Sequence, residues 1–290
     1  MNNTLLYIVT VVIWGSTWLA IEYQLGVVEP EVSIAYRYIL AAVVLFVWCK
    51  FKKISLVFKV KHHFWFATLG LLLFCLNYVF AYRAQGYITS AMAAILFSTM
   101  VWINILLARL VLGARTTRRG LFGAFLGIVG LVVLFAPRID SMALDDEMFL
   151  GAAIGLAGAF TASCGNIVSQ LAQNRSLPVV ATNAWGMLYG ALLTTLIAVF
   201  SGHEFNFDAS FTYITSLVYL SVFGSVIAFG AYLTLLGRVG AHKAGYAAVM
   251  FPVVALVLSI LFEGLRLDAT IVAGMLLVLL GNSLVLNRRA

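Results

Sequence analysis

Hydrophobic residues along this chain run in unbroken blocks of about 17 to 25 positions, the length that crosses a hydrocarbon core as helix. Ten blocks are read: Thr4–Ile21, Ser33–Cys49, Trp65–Tyr82, Thr89–Leu112, Gly120–Pro137, Leu150–Leu171, Ala181–Phe200, Tyr213–Leu236, Ala244–Phe262 and Thr270–Leu286. The polar breaks are shortest around Tyr87 and Gly240, where merging would give eight long spans instead. Because the blocks do not alternate between apolar and polar, a β-barrel is excluded. The connections leave no room for a soluble domain. The first block does not read as a cleaved signal peptide, since Asn2, Asn3 and Thr4 ahead of it bring no Lys or Arg. The predicted fold class is an all-α polytopic membrane protein with ten transmembrane helices.

Composition agrees. Of 290 residues, 63% are hydrophobic and 10% charged, with a mean hydropathy of +1.04. A soluble chain averages about 45–50% apolar and roughly 25% charged, so most of this surface faces lipid. Cys49, Cys75 and Cys164 all sit in apolar runs with no CxxC spacing and no nearby His, which makes them packing residues.

The net charge of +7 would suggest nucleic acid in a soluble protein, but here its distribution matters more. Lys50, Lys52, Lys53, Lys59, Lys61, Arg109, Arg115, Arg118, Arg119, Arg175, Arg238, Lys243, Arg288 and Arg289 fall in or beside every second connection and the C-terminal tail. Only Arg83, Arg138 and Arg266 lie on the other side. The positive-inside rule then places both termini in the cytoplasm. All eleven acidic residues fall on the outer side, which agrees without adding much weight.

An offset near 150 residues brings Ala81-Tyr82 onto Ala231-Tyr232, and Gly123 and Gly130 onto Gly274 and Gly281. The chain reads as two five-helix units, 1–138 and 150–290. Five is odd, so the second unit enters the membrane from the opposite side. Such inverted repeats convert an inward-open cavity into an outward-open one by exchanging conformations.

Several segments, in this order, resemble the EamA branch of the drug/metabolite transporter superfamily over nearly the whole chain. They are Trp14-Gly15-Ser16-Thr17-Trp18, Arg37-Tyr38-Ile39-Leu40-Ala41-Ala42, Ala81-Tyr82-Arg83-Ala84 with the Ala-rich span after it, Phe251-Pro252-Val253-Val254 with Glu263-Gly264, and the glycines of the last span. The chain departs from the family pattern at Met100-Val101, where Pro-Val is common, and at Gly113-Ala114, where Gly-Glu is common. The resemblance implies a ten-helix carrier with cytoplasmic ends in a bacterial inner membrane, exporting small metabolites such as amino acids or amphiphilic drugs.

Polar groups inside the spans need a reason. Arg37, near the start of the second span, is either an outer-interface anchor near Glu22 or Glu31 or a clamp for a substrate carboxylate. Asn77, Asn104 and Asn166 either bond between helices or line a wet cavity. Asn77, Tyr78 and Tyr82 are read on one helical sector, and Trp14 and Trp18 on another. For Trp18, Tyr23 and Tyr38 an interfacial belt is the default, whereas Trp14, Tyr78 and Trp102 are too deep for it. The substrate-lining set expected is Trp14, Trp18, Asn77, Tyr78, Tyr82, Trp102, Asn166, Tyr232 and Tyr246, with Met250 nearby. Pro252 frees the Ala248 carbonyl and predicts a kinked or broken ninth span. Gly120, Gly123, Gly127, Gly130, Gly151, Gly155 and Gly158 are read as close helix contacts.

An intramembrane enzyme would need acid, base or metal ligands at depth, and His62, His63, His203 and His242 all lie in loops. No resident metal or cofactor is expected, and nothing resembles a channel filter. No carboxylate lies mid-span, with Glu22 and Glu263 the nearest, so a facilitator or exchanger is expected, or at most coupling through Glu22. The partners expected are a small-molecule substrate and the bilayer, for a chain acting as monomer or homodimer. The alternative is a nucleotide-sugar or lipid-linked metabolite carrier of the same fold, although phosphate would call for more than one deep cation.

Overall fold

The computed structural model describes residues 1–114, 118–119, 122–123, 125–127, 129–130, 133, 146–245, 247–262, 264 and 268–286. Among these, seven helices are long and apolar enough to span a membrane: α1 (Asn3–Glu22), α2 (Pro30–Phe51), α3 (Val60–Gln85), α4 (Ser90–Leu112), α5 (Glu147–Gln173), α6 (Val179–Phe200) and α7 (Phe211–Val239). Two shorter apolar helices follow, α8 (Ala247–Phe262) and α9 (Ala269–Leu286). The fifth expected span, Gly120–Pro137, falls largely outside the described residues; those described within it are helical. Hydrocarbon offers backbone amides no partner, so each apolar block closes its own hydrogen bonds as helix.

Local chemistry sets the ends. The Asn2 side chain caps α1 by accepting from the Leu5 amide (2.8 Å), and Pro30 opens α2, where its missing amide costs nothing. Ser210 caps α7, accepting from the Tyr213 amide at 3.2 Å. The two weakest sequence breaks are real ones. Thr89 caps a new helix after Tyr87, and Gly240, at φ 85°, ends α7 in a backbone region that side-chained residues rarely adopt.

Two helices carry a wider turn, and they carry it at matching places. Gly70–Leu76 in α3 and Leu220–Ile227 in α7 are π-helical, beginning 150 residues apart, the offset of the sequence repeat. Packing repeats too: α1 lies on α7 and α8, and α5 lies on α3 and α4. The matched helices α2 and α6 pack on each other antiparallel. Phe46, late in α2, meets Trp185, early in α6 (ring centroids 5.1 Å), and Val32, early in α2, joins a buried cluster with Ala198, late in α6.

Glycine permits the closest approaches. A Cβ on Gly70 would stand 2.7 Å from the Gly186 carbonyl oxygen and 2.9 Å from the Gly190 amide nitrogen, and one on Gly130 would stand 2.7 Å from the Gly274 carbonyl oxygen. Gly151 and Gly158 seat against Tyr87 and Phe97, so these glycines are helix contacts as expected. Gly120 lies outside the described residues. Outward faces carry Val43, Val47 and Trp48 on α2 and Leu192, Leu196 and Phe200 on α6, all exposed and apolar, as lipid requires. Cys49 and Cys75 are buried free thiols and Cys164 is half-buried.

Candidate functional site

The wide turn of α7 builds one wall. A π turn leaves carbonyls without their usual helical partners. Here the Trp14 indole nitrogen donates to the Gly224 carbonyl (3.0 Å), and Ser225 Oγ donates to the Leu220 carbonyl five residues back (3.0 Å). The Trp14 ring then lies within 4.7 to 5.5 Å, centroid to centroid, of Phe229, Tyr232 and Phe251.

Around this aromatic cluster is a small, partly open cavity of about 60 Å³. Six of the nine expected residues line it: Trp14, Trp18, Asn77, Tyr78, Asn166 and Tyr232. Two buried amide oxygens in the wall, Asn77 Oδ1 and Asn166 Oδ1, have no hydrogen-bond partner. Asn77 Nδ2 donates to the Leu73 carbonyl (3.2 Å), and Asn166 Nδ2 donates to Asn104 Oδ1 (3.3 Å). Asn77 therefore bonds within its own helix and Asn166 bonds across to Asn104 in α4, and both Asn77 and Asn166 face the cavity while Asn104 does not.

Several expectations need correcting. Tyr82 does not line the cavity; its hydroxyl donates to Gln24 Oε1 at 2.7 Å. The reason is angular, since five residues of α-helix turn it about 140° from Asn77, too far for one sector. Trp102 is also absent from the wall, its indole instead filling the space over Gly127. Trp18 and Tyr38 are buried and not interfacial, whereas Tyr23 is exposed. Met250 is exposed as well, and Tyr246 lies outside the described residues. The helix runs unbroken through Pro252, and its neighbour Phe251 lines the cavity.

Arg37 is the largest correction. It is 0% exposed, so it is no interface anchor, and Glu31 is taken by Arg83 instead, at 2.7 Å. Its Nε donates to Ser225 Oγ (2.9 Å), Nη2 to the Tyr78 hydroxyl (3.3 Å) and Nη1 to the Tyr82 hydroxyl (3.5 Å). The guanidinium also lies 4.3 Å from the centre of the Tyr78 ring. Among the described residues no carboxylate comes within ion-pair distance of it. Three neutral hydroxyls and a ring thus surround a full positive charge.

Sequence reading passed over Thr17, Phe97, Met100, Phe229 and Phe251 in the wall, and Ser225 beside the arginine. Phe229 stands three residues before Tyr232 on one helical face, a spacing that could have found it. Nothing local marks Phe97.

Arg83→Gln is expected to lower the melting temperature. The Glu31 carboxylate would stay buried without its cation, costing about 1–3 kcal/mol because Arg83 is itself 46% exposed. An unchanged melting curve would show that Glu31 does not need its partner.

A multi-pass helical bundle with an aromatic cavity between its helices and a buried cation beside it is an architecture suited to a membrane transporter. The sequence model of the EamA-like transporter family matches residues 2–136 and 149–287, and the chain belongs to that family. The two matched stretches correspond to the two halves that share the wide turn, which indicates a duplicated repeat. A protein named "Probable amino-acid metabolite efflux pump" in Salmonella typhimurium is 24% identical over 95% of this chain and 92% of its own. One named "Uncharacterized inner membrane transporter YedA" in Escherichia coli K12 is 25% identical over 85% of this chain and 78% of its own. A solved crystal structure at 18% identity superposes with a TM-score of 0.74, covering 97% of this chain and 95% of that one, a likeness of fold.

Proposed function

We propose that this transporter is an inner-membrane exporter of amino acids or similar small amphiphiles, working by alternating access of two inverted five-helix halves, 1–138 and 150–290. The single observation that carries the substrate class is Arg37, a buried cation with no carboxylate in ion-pair reach among the described residues, bordering an aromatic cavity through Tyr78. A charge held in a low-dielectric interior without its counter-ion is a strong attractor for a ligand anion. The substrate carboxylate goes to the guanidinium, its apolar body to the rings of Trp14, Trp18 and Phe229, and its polar groups to the free Asn77 and Asn166 oxygens.

The antiparallel packing of α2 and α6 supports inversion, since repeat-related helices in a membrane run opposite ways only if the halves enter from opposite sides. Ten spans with cytoplasmic termini follow from that inversion together with the basic connections. Two relatives' names, an amino-acid metabolite efflux pump and an inner membrane transporter, agree in substrate class and membrane. Transport without an imposed ion gradient is the expected mode, by a monomer or homodimer. The buried carboxylate Glu31, not foreseen as such, sits in the first turn of α2 and is already bound to Arg83.

Uptake of radiolabelled amino acids into liposomes holding the purified protein tests this reading. Saturable uptake above empty liposomes is expected, with KM raised about tenfold or more in Trp14→Ala and Tyr78→Ala, each of which removes a buried ring from the wall. No uptake of any amino acid by folded protein would reject the substrate class.

A further inference from the structure

Three side chains that transport does not use converge where the first turn of α2 meets the connection between α6 and α7. Glu31 is fully buried, and its Oε1 takes the Arg83 Nε and Nη2 donors, each at 2.7 Å. Its Oε2 is buried and has no hydrogen-bond partner. That oxygen lies 3.4 Å from His203 Nδ1, which is likewise buried without a hydrogen-bond partner and stands 3.9 Å from Glu29 Oε2. All three donor atoms fall within 4.8 Å of one another.

A buried carboxylate oxygen and an imidazole nitrogen lie within ion-pair reach without a hydrogen bond between them, which leaves two costly groups unsatisfied while the imidazole is neutral. One ion between them would satisfy both. Zinc takes nitrogen and oxygen ligands at about 2.0–2.1 Å in a tetrahedron, which sets neighbouring donors ~3.3–3.5 Å apart. The Glu31–His203 pair has that separation, and Glu29, 56% exposed, needs only a small side-chain adjustment to reach it. One imidazole with two carboxylates suits zinc or another first-row divalent ion better than calcium, which wants six or more oxygens. Two carboxylates and one guanidinium leave a net negative charge for the ion to meet. The Arg83 fork on Oε1 fixes the carboxylate so that Oε2 faces the histidine, as outer-shell partners of metal ligands do.

We propose that Glu29, Glu31 and His203 form a site for a divalent transition metal of the zinc class, with water in the fourth position. Its connection is already held over α2. Asn206 Nδ2 donates to the Val27 carbonyl, the Tyr36 hydroxyl donates to the Asn206 carbonyl, both at 2.9 Å, and the His203 amide donates to the Ala198 carbonyl at 3.0 Å. Two ligands come from the N-terminal half of the chain and one from the C-terminal half, so the metal joins the halves at this end. The site stands independently of the substrate assignment.

Thermal unfolding of the purified full chain in nanodiscs at neutral pH, titrated with zinc chloride and reversed with chelator, tests it. A zinc-dependent rise in melting temperature at micromolar zinc is expected, absent with calcium, retained in His62→Ala/His63→Ala, and weakened about tenfold or more in His203→Ala and Glu29→Gln. Glu29 is exposed, so Glu29→Gln keeps the test valid should His203→Ala fold poorly. No zinc-dependent rise in the parent protein, or an equal rise in Glu29→Gln and His203→Ala, would overturn the site.

Discussion

Arg37→Met is expected to abolish transport of carboxylate-bearing substrates while leaving the melting temperature unchanged or higher. Burying a guanidinium costs several kcal/mol, and Tyr78, Tyr82 and Ser225 return only neutral hydroxyls as acceptors. Replacing buried ionic groups by an apolar side chain of similar volume is often neutral or stabilising, and the three hydroxyls can turn to other acceptors. Ser225 Oγ already donates to the Leu220 carbonyl and the Tyr82 hydroxyl to Gln24. Removing one partner of a desolvated charged contact to a ligand costs about 2–5 kcal/mol, or roughly 30- to several-thousand-fold in affinity. Proteoliposome uptake and thermal unfolding on the same preparation separate the two effects. A guanidinium present only to hold α2 against α3 and α7 would lose stability and transport together. Wild-type uptake of a carboxylate substrate by Arg37→Met would remove Arg37 from the site.

Gly70→Val is expected to produce a large loss of stability. The new Cβ would press on the Gly186 carbonyl and the Gly190 amide at under 3 Å, and both are backbone atoms that cannot rotate away. α3 and α6 must then separate, and the added branch widens the gap. Overpacking of this kind costs about 1–3 kcal/mol or more, a fall of roughly 5–10 °C in melting temperature. Gly230→Ala is the control, since nothing lies within 4 Å of its added Cβ and alanine favours helix. Equal melting temperatures for Gly70→Val and the parent would mean that α3 and α6 are not held in this contact.

What the sequence made legible followed from solvent. Lipid demands long apolar helices, so the spans could be read from block length, and buried rings such as Trp14 and Tyr78 stood out because they lie too deep for an interface. What it hid was contact between distant segments. Arg37 reads as a rim anchor or a substrate clamp because it stands near the start of its span, yet the fold buries it, and one helix carries Glu31 to Arg83 and Arg37 to Ser225. Tyr82 reads on one sector with Asn77 and Tyr78, but it stands about 140° round the helix from Asn77, and its hydroxyl goes to Gln24. His203 seemed an isolated loop residue until the fold set it beside Glu29 and Glu31.

The two wide turns also change how these helices must be aligned. A π turn holds one residue more than the α-turn it replaces, so the face pattern after it is out of phase with the pattern before it by about 100°. A helical wheel drawn straight through Gly70–Leu76 or Leu220–Ile227 therefore assigns one end of the helix to the wrong side. Because the same phase slip occurs at the same place in both halves, Tyr82 and Tyr232 stay in register with each other although neither is in register with the start of its own helix. Duplication has preserved a rotational offset as well as a sequence, and an alignment of the halves that opens a gap inside either turn would erase it.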